Sequence, residues 1–125
     1  MGMNNGLGPL GETYAAEYLR KQGFQILERN YRSRFGEIDI IAENGQYIVF
    51  AEVKTRRASS LAEPEEAVTP GKQKKIAKTA LLYLQKHPTR LQPRFDVIGI
   101  VAAGTGSAVQ SLRHVKDAFS YPSYY

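Results

Sequence analysis

Asp39 and the tripeptide Glu52-Val53-Lys54 place two carboxylates and a lysine where a reaction could be run. Twelve residues separate the two acids, which lie in two apolar runs, Gly36-Glu37-Ile38-Asp39-Ile40-Ile41 and Ile48-Val49-Phe50-Ala51-Glu52-Val53-Lys54. An unpaired charge is costly to bury in such strands, so carboxylates persist there when they are paired or bind a metal. Two carboxylates from adjacent strands are hard oxygen ligands of the kind that hold Mg²⁺ (or Mn²⁺), an ion that keeps several waters and accepts a phosphate oxygen. Water on such an ion is more acidic, and the ion offsets charge gathering at phosphorus. Lys54 could orient or help deprotonate the attacking water, or stabilise developing negative charge. The competing reading is a cross-strand ion-pair network in which Lys54 satisfies Glu37, Asp39 and Glu52. Three acids against one lysine leave an excess of negative charge, which favours a cation.

The positioning elements follow from the pattern. Asn44-Gly45 between the two apolar runs is a strong hairpin signal, because a type I′ turn needs positive φ at both central residues. A two-residue loop there pairs Glu43 with Gln46, and the same register sets Ile41 opposite Ile48, Asp39 opposite Phe50 and Glu37 opposite Glu52. All of these share one face with Lys54, while Ile38, Ile40, Val49, Ala51 and Val53 point the other way. Asp39 and Glu52 are then diagonal neighbours, roughly 7–8 Å apart at the backbone.

Two helices flank these strands. From Leu7 to about Gln22, Leu7, Leu10, Ala15, Ala16, Tyr18 and Leu19 form an apolar stripe that stops at Gly23, with Glu12 at its edge. Glu12 reads equally as a first-turn acid favoured by the helix dipole or as a member of the site. Thr69-Pro70 reads as N-cap and first helical residue of a second helix that ends near His87, before Pro88, and buries Ile76, Ala77, Ala80, Leu81 and Leu84. Gln73 falls on that stripe near the helix start. Lys72, Lys74, Lys75 and Lys78 surround it, as a solvated face or as a phosphate seat at the helix N-terminus.

The remaining segments are a first, edge-type strand over 24–31, a basic turn at Arg32-Ser33-Arg34, a loop over 58–68 containing Pro64, and a strand over 95–102 closed by Gly104-Thr105-Gly106. Asp96 in that strand reads as structural, partnering a nearby arginine. A short strand over 109–112, a helical turn over 114–119 and a Tyr-rich end that packs or stays free complete the chain.

At 125 residues the chain suits one domain, residues 1–125, with a core that needs no staples. It contains no cysteine, which excludes disulfides and thiolate zinc sites, and His87 and His114 form no short-range ligand motif. No stretch approaches the ~20 apolar residues of a membrane span, and a secretory pattern is lacking, so a cytoplasmic location is expected. The formal charge of +5 favours polyanionic partners such as nucleic acid. Gly6-Leu7-Gly8-Pro9-Leu10-Gly11 matches G-x-G-x-x-G, but no strand precedes it, so a dinucleotide site is rejected. Neither a P-loop nor a nucleophile-elbow context is present.

Asp39 with Glu52-Val53-Lys54 resembles the PD-(D/E)xK endonuclease superfamily, although Ile38 stands where the motif has proline. More closely, Gly11-Glu12, Asn30-Tyr31-Arg32, Gly36-Glu37-Ile38-Asp39, Phe50-Ala51-Glu52-Val53-Lys54-Thr55-Arg56, Lys72-Gln73 and Arg94-Phe95-Asp96-Val97 resemble the uncharacterised bacterial YraN family over nearly the whole chain. The resemblance implies an α/β fold with a restriction-endonuclease-like α-β-β-β-α-β core, its mixed central sheet flanked by helices, similar to archaeal Holliday junction resolvases. It implies Glu12, Asp39 and Glu52 as metal ligands, Lys54 as the catalytic lysine, and Gln73 near the scissile phosphate. Arg32, Arg34, Arg56, Arg57, Lys72, Lys74 and Lys75 would then hold a DNA backbone, and a homodimer is implied by the two cuts that junction resolution needs. A non-cleaving nucleic-acid-binding module of the same fold and a structural adaptor are the alternatives.

Overall fold

Alternating apolar residues in the strands and two apolar helical stripes give a sheet that can be covered on both faces, and the computed structural model has this layout. It describes residues 3–58, 68–103 and 108–120, with side chains in the first stretch from residue 8 onward. The order is α1 (Met3–Lys21), β1 (Gln25–Arg32), β2 (Glu37–Glu43), β3 (Tyr47–Arg57), α2 (Pro70–Lys86), β4 (Gln92–Ala102) and β5 (Val109–Phe119). The five strands form one mixed sheet in sequence order, with β3 and β4 parallel and every other pair antiparallel. Only the parallel pair needs a crossover, and α2 supplies it.

Helix α1 packs Ala15, Ala16 and Leu19 against Ile40, Ala42, Val49, Ala51, Val53, Ile98 and Ile100. Leu10, assigned to that stripe from the sequence, is instead 49% exposed. The approach of α1 to β3 is closest at Gly11, where a Cβ would fall on Thr55 Oγ1. Helix α2 covers the other face, packing Ile76, Ala77, Ala80 and Tyr83 against Ile38, Ile41, Ile48, Phe50, Phe95 and Val97. Thr79 and Tyr83 are buried where the sequence pointed to Leu81 and Leu84, which are only half-buried. Thr79 bonds Ser33 across 2.8 Å and so stitches the β1–β2 turn to α2.

Several expectations are corrected. The hairpin register is displaced: Ile40 pairs with Ala51, Ile41 with Phe50, Ala42 with Val49 and Glu43 with Ile48. Asn44 is not a central turn residue. Its N–H donates to Tyr47 O (3.1 Å) and its Oδ1 accepts from the amides of Gln46 (3.0 Å) and Tyr47 (2.8 Å), so it opens a turn centred on Gly45-Gln46. Positive φ occurs at Gly45 (91°) and not at Asn44. The displacement is two residues, and because side chains repeat every two residues the faces survive while the neighbours change. Ile38 is the exception, packing on the α2 face rather than the α1 face.

Strand β1 is an edge strand, as its mixed pattern suggests, and it is bulged between Ile26 and Glu28 and twisted at Asn30 (φ 54°). Residues 109–119 form one eleven-residue strand, β5, instead of a short strand and a helical turn. Pairing with the buried strand β4 sets this conformation, with register breaks that absorb its irregular pattern and a positive φ at Asp117 (55°). The Gly104–Gly106 turn, residues 59–67 of the acidic loop and the Tyr-rich end lie outside the described residues. No helix among the described residues is long and apolar enough to cross a membrane.

Candidate active site at the β2–β3 carboxylates and the start of α2

The β2–β3 ladder ends at Ile40–Ala51, and just beyond it Asp39 and Glu52 come together at the mouth of one cleft, close enough for the Glu52 charge to act on Asp39. Asp39 Oδ2 accepts a 2.7 Å hydrogen bond from Val53 N–H, which fixes the carboxylate against β3. Burial, then the nearby Glu52 charge, push the Asp39 carboxyl from its ordinary 3.8 up to about 7, with smaller contributions from Glu12 and Glu37 and against the Val53 hydrogen bond. The two acids share a cleft of about 370 Å³, which also borders Gly36, Glu37 and the first turns of α2 at Thr69, Gly71, Lys72 and Lys75.

Glu52 is 4% exposed, and its Oε2 is held by two ammonium groups, Lys72 Nζ at 2.6 Å and Lys54 Nζ at 3.4 Å. Lys54 is where the sequence placed it, on the carboxylate face. Lys72, expected at a DNA backbone, instead reaches into the acid pair. Burial opposes its charge, but its bond to Glu52 more than compensates and raises it above the ordinary lysine value.

Helix α2 begins as the sequence indicates. Thr69, extended at φ −71° and ψ 161°, is the N-cap and accepts from Lys72 N–H at Oγ1 (3.2 Å), with Pro70 following. This cap aims the positive end of the helix at the cleft. Gln73 is half-buried, but its Nε2 donates to Val68 O (3.1 Å), which commits the amide to the segment preceding the helix. Glu12, half-buried on α1, is felt at Asp39 through its charge.

The other basic residues divide. Lys75 lines the cleft, and Arg32 reaches Glu37 across 3.8 Å with most of its side chain exposed. Arg34 and Lys78 both lie over the Phe35 ring, at 4.8 and 5.2 Å, beside the Gly36 edge of the cleft. Lys74 is exposed on α2, while Arg56 and Arg57, at the end of β3, alternate between the two sheet faces.

A second polar cluster lies in the sheet and away from this cleft. Asp96, fully buried, receives Arg94 Nε (2.9 Å) and Nη2 (2.8 Å), His114 Nε2 (2.7 Å) and Asp117 N–H (3.0 Å). Burial pushes its carboxyl up, but these hydrogen bonds prevail and hold it below the usual range. The arginine partner matches the structural role read from the sequence. His114, and Tyr18 bonded to its Nδ1 at 2.9 Å, were not legible: neither lies at a spacing from Asp96 that a local motif could signal.

As ligands, Asp39 and Glu52 have the donor chemistry for a small divalent ion: two neighbouring carboxylates, one of which burial and then the charge of the other push toward protonation. Among the described residues there is no cluster of three or more acids or histidines placed to hold a metal. One or two carboxylates with waters suffice for Mg²⁺.

The sequence profile of the uncharacterised protein family UPF0102 matches residues 11–100, from the glycine that meets Thr55 through Ile100 of β4. Similar chains include UPF0102 proteins of Syntrophomonas wolfei, 47% identical over 94% of this chain and all of the relative, and Syntrophus aciditrophicus, 48% identical over 95% of this chain and 92% of the relative. A UPF0102 protein of Geotalea daltonii is 48% identical over 93% of this chain and 91% of its own length. The stretch bearing Glu12, the two strand acids, Lys54 and the start of α2 thus lies inside the matched region, and the chain belongs to the UPF0102 family.

Proposed function

We propose that this protein is a Mg²⁺- or Mn²⁺-dependent endonuclease that hydrolyses phosphodiester bonds in DNA, with branched or junction DNA as its substrate class. The observation that carries the reading is that Asp39 and Glu52 line one cleft with the positive end of α2, with Lys54 3.4 Å from Glu52. Asp39 and Glu52 would hold the ion and Glu12 would add negative charge nearby. A bound ion would acidify water and offset charge on the phosphoryl oxygens. Lys54, an ammonium paired with Glu52, would orient the attacking water, whose proton passes to bulk water as its oxygen bonds phosphorus; the bond from phosphorus to the 3′ oxygen breaks and that oxygen takes a proton from water, leaving 3′-hydroxyl and 5′-phosphate ends. Lys75, Lys74, Arg32 and Arg34 surround the cleft side of α2 and the β1–β2 turn, where they would neutralise backbone phosphates, and Gln73 steadies the start of α2 through Val68. A restriction-endonuclease-like core and a homodimer bringing two such sites to one junction belong to the same proposal.

Purified protein with Mg²⁺ or Mn²⁺ is expected to nick branched, single-stranded or duplex DNA, and Lys54→Ala to abolish the cut. Unchanged cleavage by that variant would refute the mechanism. The second reading, a nucleic-acid-binding module that does not cleave, is favoured by one observation: Glu52 already carries two ammonium partners. It predicts salt-sensitive DNA binding with no heat of Mn²⁺ binding in calorimetry.

A further inference from the structure

We propose that Lys72 is an exchangeable counter-ion: its ammonium occupies the cation position at Glu52 until a divalent ion takes that place, then passes to a non-bridging oxygen of the phosphodiester, coupling ion and phosphate binding. This rests on the reading of Asp39 and Glu52 as metal ligands. The two partners differ in freedom. Glu52 is locked in the sheet at 4% exposure, whereas the Lys72 side chain is 41% exposed at the cleft. The Lys72 backbone is fixed by the Thr69 cap, so its four-carbon stem is what can swing. The adjoining cleft of about 370 Å³ gives it room.

The nearer ammonium is the one that must leave. Lys72 Nζ stands 2.6 Å from Glu52 Oε2 and Lys54 Nζ stands 3.4 Å away, so a divalent ion on that oxygen meets Lys72 first. Like charges at such separations repel strongly where water is partly excluded. A displaced Lys72 remains at the third residue of α2, at the positive end of the helix and on the cleft wall with Gly71 and Lys75, where an anion is the natural partner. An ammonium, with three donors and no acceptor, serves either carboxylate or phosphate without rebuilding the site. One side chain thus blocks an unproductive charge pair in the resting protein and rewards the joint arrival of ion and substrate.

Calorimetric titration of the metal-free full chain with MnCl₂, alone and with a phosphorothioate DNA duplex, tests this in wild type, Lys72→Ala and Lys75→Ala. Lys72→Ala is expected to bind Mn²⁺ alone roughly three- to tenfold more tightly, the gain from removing a half-exposed ammonium competitor. It should also lose the Mn²⁺-dependent increase in duplex affinity, whereas Lys75→Ala weakens duplex binding but keeps its Mn²⁺ dependence. Mn²⁺ affinity in Lys72→Ala no higher than in wild type overturns the exchange and leaves the ligand assignment standing. Mn²⁺ binding to neither protein overturns both. Far-UV circular dichroism confirms folding, and Lys72→Gln, which keeps the stem, is expected to follow Lys72→Ala in its Mn²⁺ affinity.

Discussion

Replacing Asp39 with asparagine should stabilise the metal-free protein at alkaline pH and do so less at acid pH. In the folded chain the Asp39 carboxyl is raised by burial and by Glu52 from 3.8 to about 7. A folded value above the unfolded one means that the native state holds this proton more tightly. Its stabilising effect is full below 3.8 and is lost as pH rises through about 7. At about 1.36 kcal/mol per pH unit, the difference between the two values corresponds to at most about 4 kcal/mol of stability surrendered by pH 8.5. Asparagine keeps the shape and can still accept from Val53 N–H, but it cannot ionise. Urea denaturation with chelator present, at pH 5.0 and 8.5, should therefore show Asp39→Asn gaining about 4 kcal/mol over wild type at the higher pH and about 1.5 kcal/mol at the lower, a widening of about 2–3 kcal/mol between them. Histidines and other groups titrate in both proteins and cancel from the comparison. An equal difference at the two pH values would refute the argument that Asp39 carries an uncompensated buried charge. Saturating Mn²⁺ at pH 8.5 should close the gap from the wild-type side, since an ion that binds the carboxylate pair stabilises only the folded chain.

Two further substitutions probe the frame. Arg94→Ala strands the fully buried Asp96 carboxylate and should cost about 3–5 kcal/mol in chemical denaturation at pH 7, a loss that shrinks as acid protonates Asp96; a cost below about 1 kcal/mol would show that His114 and the Asp117 amide suffice. Gly11→Ala forces a methyl group onto Thr55 and should cost about 1–3 kcal/mol despite alanine's better helix propensity, whereas a more stable protein would mean that α1 does not approach β3 so closely.

Residue patterns within the chain were enough to order the first six elements, to place the N-cap at Thr69 and to identify the face that carries Asp39, Glu52 and Lys54. These are properties of local periodicity: apolar spacing, a capping hydroxyl and a proline act within a few residues, whatever the rest of the chain does. The turn was harder to place, because Asn44 can either adopt positive φ or bond its own backbone, and the second use displaced the register by two. That displacement preserved the face that carries the acids and changed which residues stand opposite one another across the hairpin. Which distant groups meet came from packing alone: Lys72 at Glu52, and Tyr18 and His114 around Asp96. These contacts join residues up to 96 positions apart, with reaches set by how α2 and β5 pack on the sheet, and no spacing in the chain encodes such distances. The proton affinity of Asp39 belongs with them, since burial and a neighbouring charge exist only once the strands have paired.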